Sequence, residues 1–387
     1  MNSRQRLLNV FNLAEPDRTP VTMFVTDTDI QDGPPNCVIG ERSDDVIADL
    51  IRFHEVLGID IMLRVGIDVF EPVGFDRENA QWENIWEFSD GRSRLTHRIV
   101  TPGGELSESF NLEGEDFHGD PTKDWMKLRN VRTEALIKKP DDLELVRRYR
   151  PALPEYDFSN LARIQNRLGD RGIVLPRVPS SVFNSAYGLR KLEDLLTDPV
   201  LNPEFYADLM ELCTADVIAV GTRVAQAAGD VMRVVGNVAN SAMVGAEFYR
   251  RHILPFEKQY IDALAGAGRK VLFHNCGRCA GLLEVYREML AGHALESLSP
   301  PACGGDIEDL AQARQKLGSS VVMVGNFDQV QLLKNGTPSQ IKQQVRRIFE
   351  QAGKDPLFIF STSDSIIPGT PAENIRALAE AALECAG

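Results

Sequence analysis

No stretch of this sequence approaches the roughly 18 consecutive apolar residues that a membrane-spanning helix needs. Its opening, MNSRQRLLNVFNLAEPDRTPV, carries charges where a signal peptide would carry its apolar core. A membrane partner is therefore not expected, and the expected location is the cytoplasm. Basic blocks are missing too: the Lys and Arg residues are dispersed, and a formal net charge of -14 repels polyphosphate. Nucleic acid is accordingly not expected as a partner. Cysteine is sparse, with six residues at 37, 213, 276, 279, 303 and 385 in a large chain. Such unpaired-looking spacings do not make a disulfide framework, so any special cysteine is a ligand or a nucleophile. Internal repeats and low-complexity tracts are also lacking.

What is present is the composition of a globular protein able to bury a substantial core: 43% hydrophobic and 25% charged residues. Eight short apolar runs of strand type occur, at 21–25, 59–64, 173–178, 231–235, 271–275, 294–298, 321–324 and 357–361. Most are separated by segments with helical apolar spacing, among them 203–228, 247–266 and 306–317. That alternation predicts parallel β/α units. Eight of them predict a closed (β/α)8 TIM barrel, and 387 residues fit one barrel domain spanning 1–387. The gap between the second and third runs is too long for one crossover helix. Its excess, roughly 68–150, is expected to be an insertion holding a β-hairpin, because Asp90-Gly91 stands between two alternating segments. The insertion also carries Trp82, Trp86 and Trp125, as aromatic anchors of a lid or as packing against the barrel mouth.

Barrel chemistry gathers at the carboxyl ends of the strands. The residues following the runs there include Asp27 and Asp29, Asn237 and Asn240, His274 and Cys276, Cys303, Asn326 and Asp328, and Asp364. His274 and Cys276 stand two apart at a strand end, where extended backbone sends alternate side chains to one side. A neutral imidazole and a thiolate suit zinc, and three protein ligands with one open position make a catalytic site. The competing reading is a backbone-bonded buried histidine beside an inert cysteine. Cys279 completes a C-x-x-C ahead of a helical segment, which lowers thiol pKa at a helix N-terminus. No thioredoxin-like pattern surrounds it, so it is expected to be a small packing residue or an alternate ligand.

Asp364 precedes Thr370, Pro371 and Glu373, a T-x-x-E capping pattern with proline at the first helical position. That helix start fixes the loop, and barrel closure would bring Asp364 to the other strand ends as a hard oxygen ligand. A loop aspartate capping nearby amides is the alternative. Cys303, in SPPACGGD, is the rival third ligand. Asp27 and Asp29 are candidates for substrate binding or proton transfer, unless they merely cap backbone.

Together RQRLLNVFNLAEPDRTPV, TPGGEL, EFYRRHILPFEKQYIDALAGAGRKVLFHNCG, VVMVGNFD and IPGTPAENIRALAEAA resemble the uroporphyrinogen decarboxylase superfamily, and specifically its corrinoid-linked methyltransferase branch. The resemblance spans nearly the whole chain and implies a (β/α)8 barrel. It also implies zinc bound by an H-x-C-G segment, here His274 and Cys276, and by a later cysteine. That cysteine's position, six residues before the threonine of the T-P motif, is held here by Asp364. The expected site is therefore His274, Cys276 and either Asp364 or Cys303, and from their places after the strand-type runs Asp27, Asn237 or Asn326 is expected to orient substrate. No corrinoid-binding D-x-H-x-x-G signature occurs, so the cobalamin is expected on a partner corrinoid-binding protein. The other partner would be a small methyl donor or acceptor, such as a methoxylated aromatic or a thiol. A homodimer is an allowed assembly.

The arginine-rich segment by which true decarboxylases grip porphyrinogen is replaced by TDTDIQDGPPN. A cofactor-free decarboxylase or lyase remains an alternative, with Arg177 as its anion-binding candidate. A metal- or substrate-binding barrel without turnover is the third.

Overall fold

The computed structural model describes residues 1–26, 36–66, 80–89, 92–113, 129–150 and 156–387. The chain divides into two compact units. One comprises Met1–Phe70, Tyr156–Asn184 and Val217–Gly387; the other comprises Glu71–Glu155 and Ser185–Asp216. Asp27, Asp29 and Trp125 lie outside the described residues.

The first unit contains all eight strand-type runs. Seven form ladder strands: β1 (Ile61–Val65), β6 (Gly172–Pro176), β7 (Val231–Val235), β8 (Lys270–His274), β9 (Ala294–Ser297), β10 (Val322–Phe327) and β11 (Phe358–Thr362). All pairings among them are parallel, β1 with β6, and β7 through β11 side by side in chain order. The fold class is thus α/β, with the helices between these strands. The continuous ladders cover two and five strands. Between them the connections are single bridges, Arg177 to Arg233, Thr26 to Arg64 and Val21 to Phe360. The run at 21–25 is therefore not a regular strand, contrary to expectation. Thr22 N donates to Phe360 O, but Phe24 N donates to the Thr362 hydroxyl at 3.0 Å, so a side chain interrupts the ladder.

The interior of this unit follows from side-chain alternation. Met62, Ile173, Leu175, Val231, Leu272, Ala294, Val322, Val324 and Ile359 form one fully buried cluster with Leu7, Val10 and Phe11. The last three come from the helix Ser3–Phe11, whose start is secured by a reciprocal cap between Asn2 and Gln5. Each of these side chains other than that of Ala294, once buried, contributes about 1.5–3 kcal/mol. Two residues further along six of these strands, on the same face, stand Arg64, Arg233, His274, Glu296, Asn326 and Ser361. An apolar floor thus gives way to a polar layer at the strand ends, and each of these six residues is less than 9% exposed.

In the second unit, strands β2 (Gln81–Ser89), β3 (Arg92–Thr101), β4 (Gly104–Glu113) and β5 (Arg129–Glu134) form one antiparallel sheet in that order. The β2/β3 register runs from Gln81 opposite Val100 to Ser89 opposite Arg92, and two further strands extend what the sequence suggested as a hairpin. The unit also takes in residues 185–216, beyond the limit of 150 drawn from sequence. Arginines make that link: Arg132 donates to the carbonyls of Tyr187 and Gly188. Buried Arg190, paired with Asp198, donates to Ile137 O and Lys138 O. Trp82, 41% exposed, meets His97 edge-on with ring centroids 6.3 Å apart, and Trp86 stacks on Phe88 with centroids 6.0 Å apart.

Candidate metal centre

Strand β8 ends at His274, whose ring is 4% exposed because Leu272 anchors the inner face beneath it. Its Nδ1 lies 3.1 Å from Glu296 Oε2 and 3.2 Å from the Ser297 hydroxyl. Register alone brings Glu296 there, since β8 and β9 pair His274 with Glu296. Burial alone would raise the Glu296 pKa. The Arg64 charge, the His274 hydrogen bond and the Arg233 charge outweigh it and hold the carboxylate well below its usual range. An ionised carboxylate can only accept, so the proton belongs on Nδ1 and Nε2 is left as the free donor atom. Burial and Arg233 press the His274 pKa down, while hydrogen bonds to Cys276 and Glu296 raise it above its ordinary value.

The Nε2 atom stands 3.9 Å from Asp364 Oδ2. Cys276, half-buried just past the strand, completes a group whose ligand atoms all lie within 4.8 Å of one another. Asp364 sits in the loop after β11, with its Oδ1 accepting from Ser365 N at 2.8 Å. The following helix begins at Ala372 with Pro371 as its cap, one residue later than the threonine pattern suggests. The Thr370 hydroxyl donates to Ile367 O at 2.7 Å. A soft sulfur, a borderline nitrogen and a hard oxygen that converge with three donors fit a zinc ion retaining an open position.

Asn237 reaches this group: its Nδ2 is 3.8 Å from Cys276 Sγ, and its Oδ1 accepts from Asn184 Nδ2 at 3.0 Å. Asn184 Oδ1 in turn accepts from Val238 N, which fixes the amide orientations along the chain of contacts. Asn326, on β10, is 5% exposed, and its Oδ1 has no hydrogen-bond partner among the described residues. Cys303 is engaged elsewhere. Its thiol donates to Asp328 Oδ1 at 3.2 Å and approaches Gln329 Oε1 at 3.4 Å, and burial raises its pKa to about 11. Cys279 is fully buried, its thiol pKa far above the usual range for the same reason, and its N–H donates to Asp306. Arg177 is exposed and has no ion-pair partner among the described residues.

Sequence reasoning missed Glu296, Arg64 and Arg233, although each is a charged residue within one of the strand-type runs. Arg64 donates through Nε and Nη2 to Glu296 Oε1, and Arg233 Nε donates to Oε2 at 3.1 Å. Both guanidinium groups lie over the Phe24 ring, at 4.4 and 4.7 Å from its centroid. Charged groups placed there at strand-end positions cannot be solvated, so they had to find one another.

A family model described as "Uroporphyrinogen decarboxylase (URO-D)" matches residues 132–385. The methylcobamide:CoM methyltransferase MtbA of Methanosarcina acetivorans is 22% identical over 180 residues, 46% of this chain and 49% of that protein. The methylated-thiol–coenzyme M methyltransferase of Methanosarcina mazei is 25% identical over 213 residues, 54% of each. A uroporphyrinogen decarboxylase of Pelobacter propionicus is 30% identical over 180 residues, 45% of this chain and 47% of that one. The chain spans about half the length of the curated relatives it matches. Among solved structures, a methyltransferase from Methanosarcina mazei superposes over 99% of both chains with a TM-score of 0.62 and 15% identity, a likeness of fold.

Proposed function

Because this chain belongs to the uroporphyrinogen decarboxylase family, we propose that it is a zinc-dependent methyltransferase. It would move a methyl group between a small molecule and the corrinoid of a separate protein, on a barrel closed by the three single bridges. The observation that carries the reading is the convergence of His274, Cys276 and Asp364. These three would hold the ion, which when bound supplies a Lewis acid that polarises a donor oxygen or sulfur or lowers the pKa of an acceptor thiol. The curated methyltransferases that the chain resembles, which act on methylcobamide and on methylated thiols, support the choice of reaction. Asn237 would keep the Cys276 sulfur in place through its amide. Asn326 would offer its Oδ1, unpartnered among the described residues, to an N–H or O–H of the substrate, and Asp27, outside the described residues, would also orient substrate. Phe24 and the apolar floor exclude water from below the centre. Cytoplasmic residence and work as a homodimer belong to the same proposal.

The test combines metal analysis with the visible spectrum of the corrinoid. Purified protein should contain stoichiometric zinc that Cys276→Ala loses. With reduced cobalamin and methoxylated aromatics or methylated thiols, the wild type should convert cob(I)alamin to methylcobalamin, and Cys276→Ala should not. Full activity in metal-free protein sinks the reading. A second reading, metal-independent decarboxylation, is favoured by unpaired Arg177 and by the decarboxylase relative. It requires Arg177→Met to abolish turnover of a carboxylated substrate while leaving zinc content irrelevant.

A further inference from the structure

Resting on the metal reading, we propose that Glu296 is a positioning residue, clamped by Arg64 and Arg233 so that it holds His274 with its proton on Nδ1 and its Nε2 lone pair turned toward Cys276 and Asp364. The carboxylate is fully buried, and its two oxygens are divided. Oε1 is taken up by Arg64 alone, through two nitrogens, whereas Oε2 is shared between Arg233 Nε and His274 Nδ1, each at 3.1 Å. One arginine would neutralise the carboxylate. The second leaves the buried trio with a net positive charge, an arrangement that costs stability and that neutral packing would avoid.

What the second arginine adds is direction. With Oε1 held from one side and Oε2 from the other, the carboxylate cannot rotate, and the one direction left for Oε2 to accept from is that of the imidazole. Arg64 is itself anchored by a 3.2 Å bond to Met23 O. The Phe24 ring lies against both guanidinium groups and, at 5.4 Å between centroids, against His274. Every member other than Phe24 sits on a ladder strand, β1, β7, β8 or β9, so the orientation of His274 is set before any ion arrives. A flipped imidazole would lose its charge-assisted bond to Glu296 and point a carbon at a buried carboxylate.

The experiment is equilibrium metal binding without corrinoid or methyl donor. Apo-protein is titrated with Zn2+ against a chelator between pH 6 and 8, and with Co2+ while its visible ligand-field bands are recorded. Glu296→Gln should weaken zinc about 10- to 100-fold and alter the Co2+ bands. Because that variant leaves two buried arginines unpaired, the neutral triple variant Arg64→Met/Glu296→Gln/Arg233→Met is measured beside it. It should melt like the wild type yet show the same loss of affinity and the same altered spectrum. A triple variant that binds zinc within about twofold of wild type, with the wild-type Co2+ spectrum, overturns the proposal. Wild-type protein that binds no zinc overturns the metal reading itself, a different failure with a different signature.

Discussion

Replacing Asp364 and Cys303 in turn decides which residue completes the metal centre. Asp364 Oδ2 stands 3.9 Å from His274 Nε2. Two donors on a tetrahedral zinc lie roughly 3.3 Å apart, so a side-chain movement of about half an ångström suffices for binding. Cys303 would first have to break its contacts to Asp328 and Gln329 at 3.2 and 3.4 Å, and then lose a proton that burial holds to a pKa of about 11. A four-ligand zinc site is worth about 10–16 kcal/mol, or roughly 3–4 per ligand. At about 1.4 kcal/mol per decade, Asp364→Ala should weaken zinc by roughly 10²- to 10³-fold, while Cys303→Ala stays within about twofold. Chelator competition at pH 7.5 measures both, with circular dichroism to confirm folding. If Cys303→Ala costs as much as Asp364→Ala, or Asp364→Ala costs nothing, the assignment of the donors is wrong.

Further outcomes are expected away from the donors. Glu257 is fully buried, and burial raises its pKa from 4.5 to about 7 despite bonds from Val182 N and Phe183 N. The folded state therefore holds its proton more tightly. The resulting stability is complete below pH 4.5 and is lost as pH rises through 7, about 3 kcal/mol in all. Glu257→Gln should remove that decline from urea unfolding curves recorded between pH 5 and 8, and an unchanged slope would refute the assignment. At Gly325, φ is +146° and a methyl group would sit 2.3 Å from Ser297 O. Gly325→Ala should lower unfolding free energy by more than about 2 kcal/mol and disturb zinc binding through β9, with an unshifted melting curve as the contrary result. Because Cys279 is buried with a raised thiol pKa, the C-x-x-C should stay reduced in air. Thiol counting after denaturation in the presence of an alkylating agent would expose any Cys276–Cys279 disulfide.

Much of the fold was legible because it rests on local periodicity. Seven of the eight apolar runs became parallel strands within three residues of their expected limits, since a short apolar run bounded by polar residues has few other stable uses. The run at 21–25 formed only bridges, because Thr362 offers Phe24 N a hydroxyl in place of a carbonyl, a contact 338 residues distant in sequence. The extent of the second unit was likewise hidden, as it depends on Arg132 and Arg190 reaching carbonyls more than fifty residues away.

At the site, the H-x-C spacing by itself determined that His274 and Cys276 could face one point, because alternation along an extended strand is a local property. Sequence put Asp364 ahead of its rival Cys303 without placing either, and gave no sign that Glu296, Arg64 and Arg233 belong together. Only the tertiary structure decided which of these side chains stand together. The strand register sets Glu296 beside His274, the loop after β11 brings Asp364 within 3.9 Å of Nε2, and Cys303 is committed to Asp328. Each is a long-range contact. Its energy comes from pairing charges and polar groups that folding removes from water, and no local pattern encodes where such partners will meet.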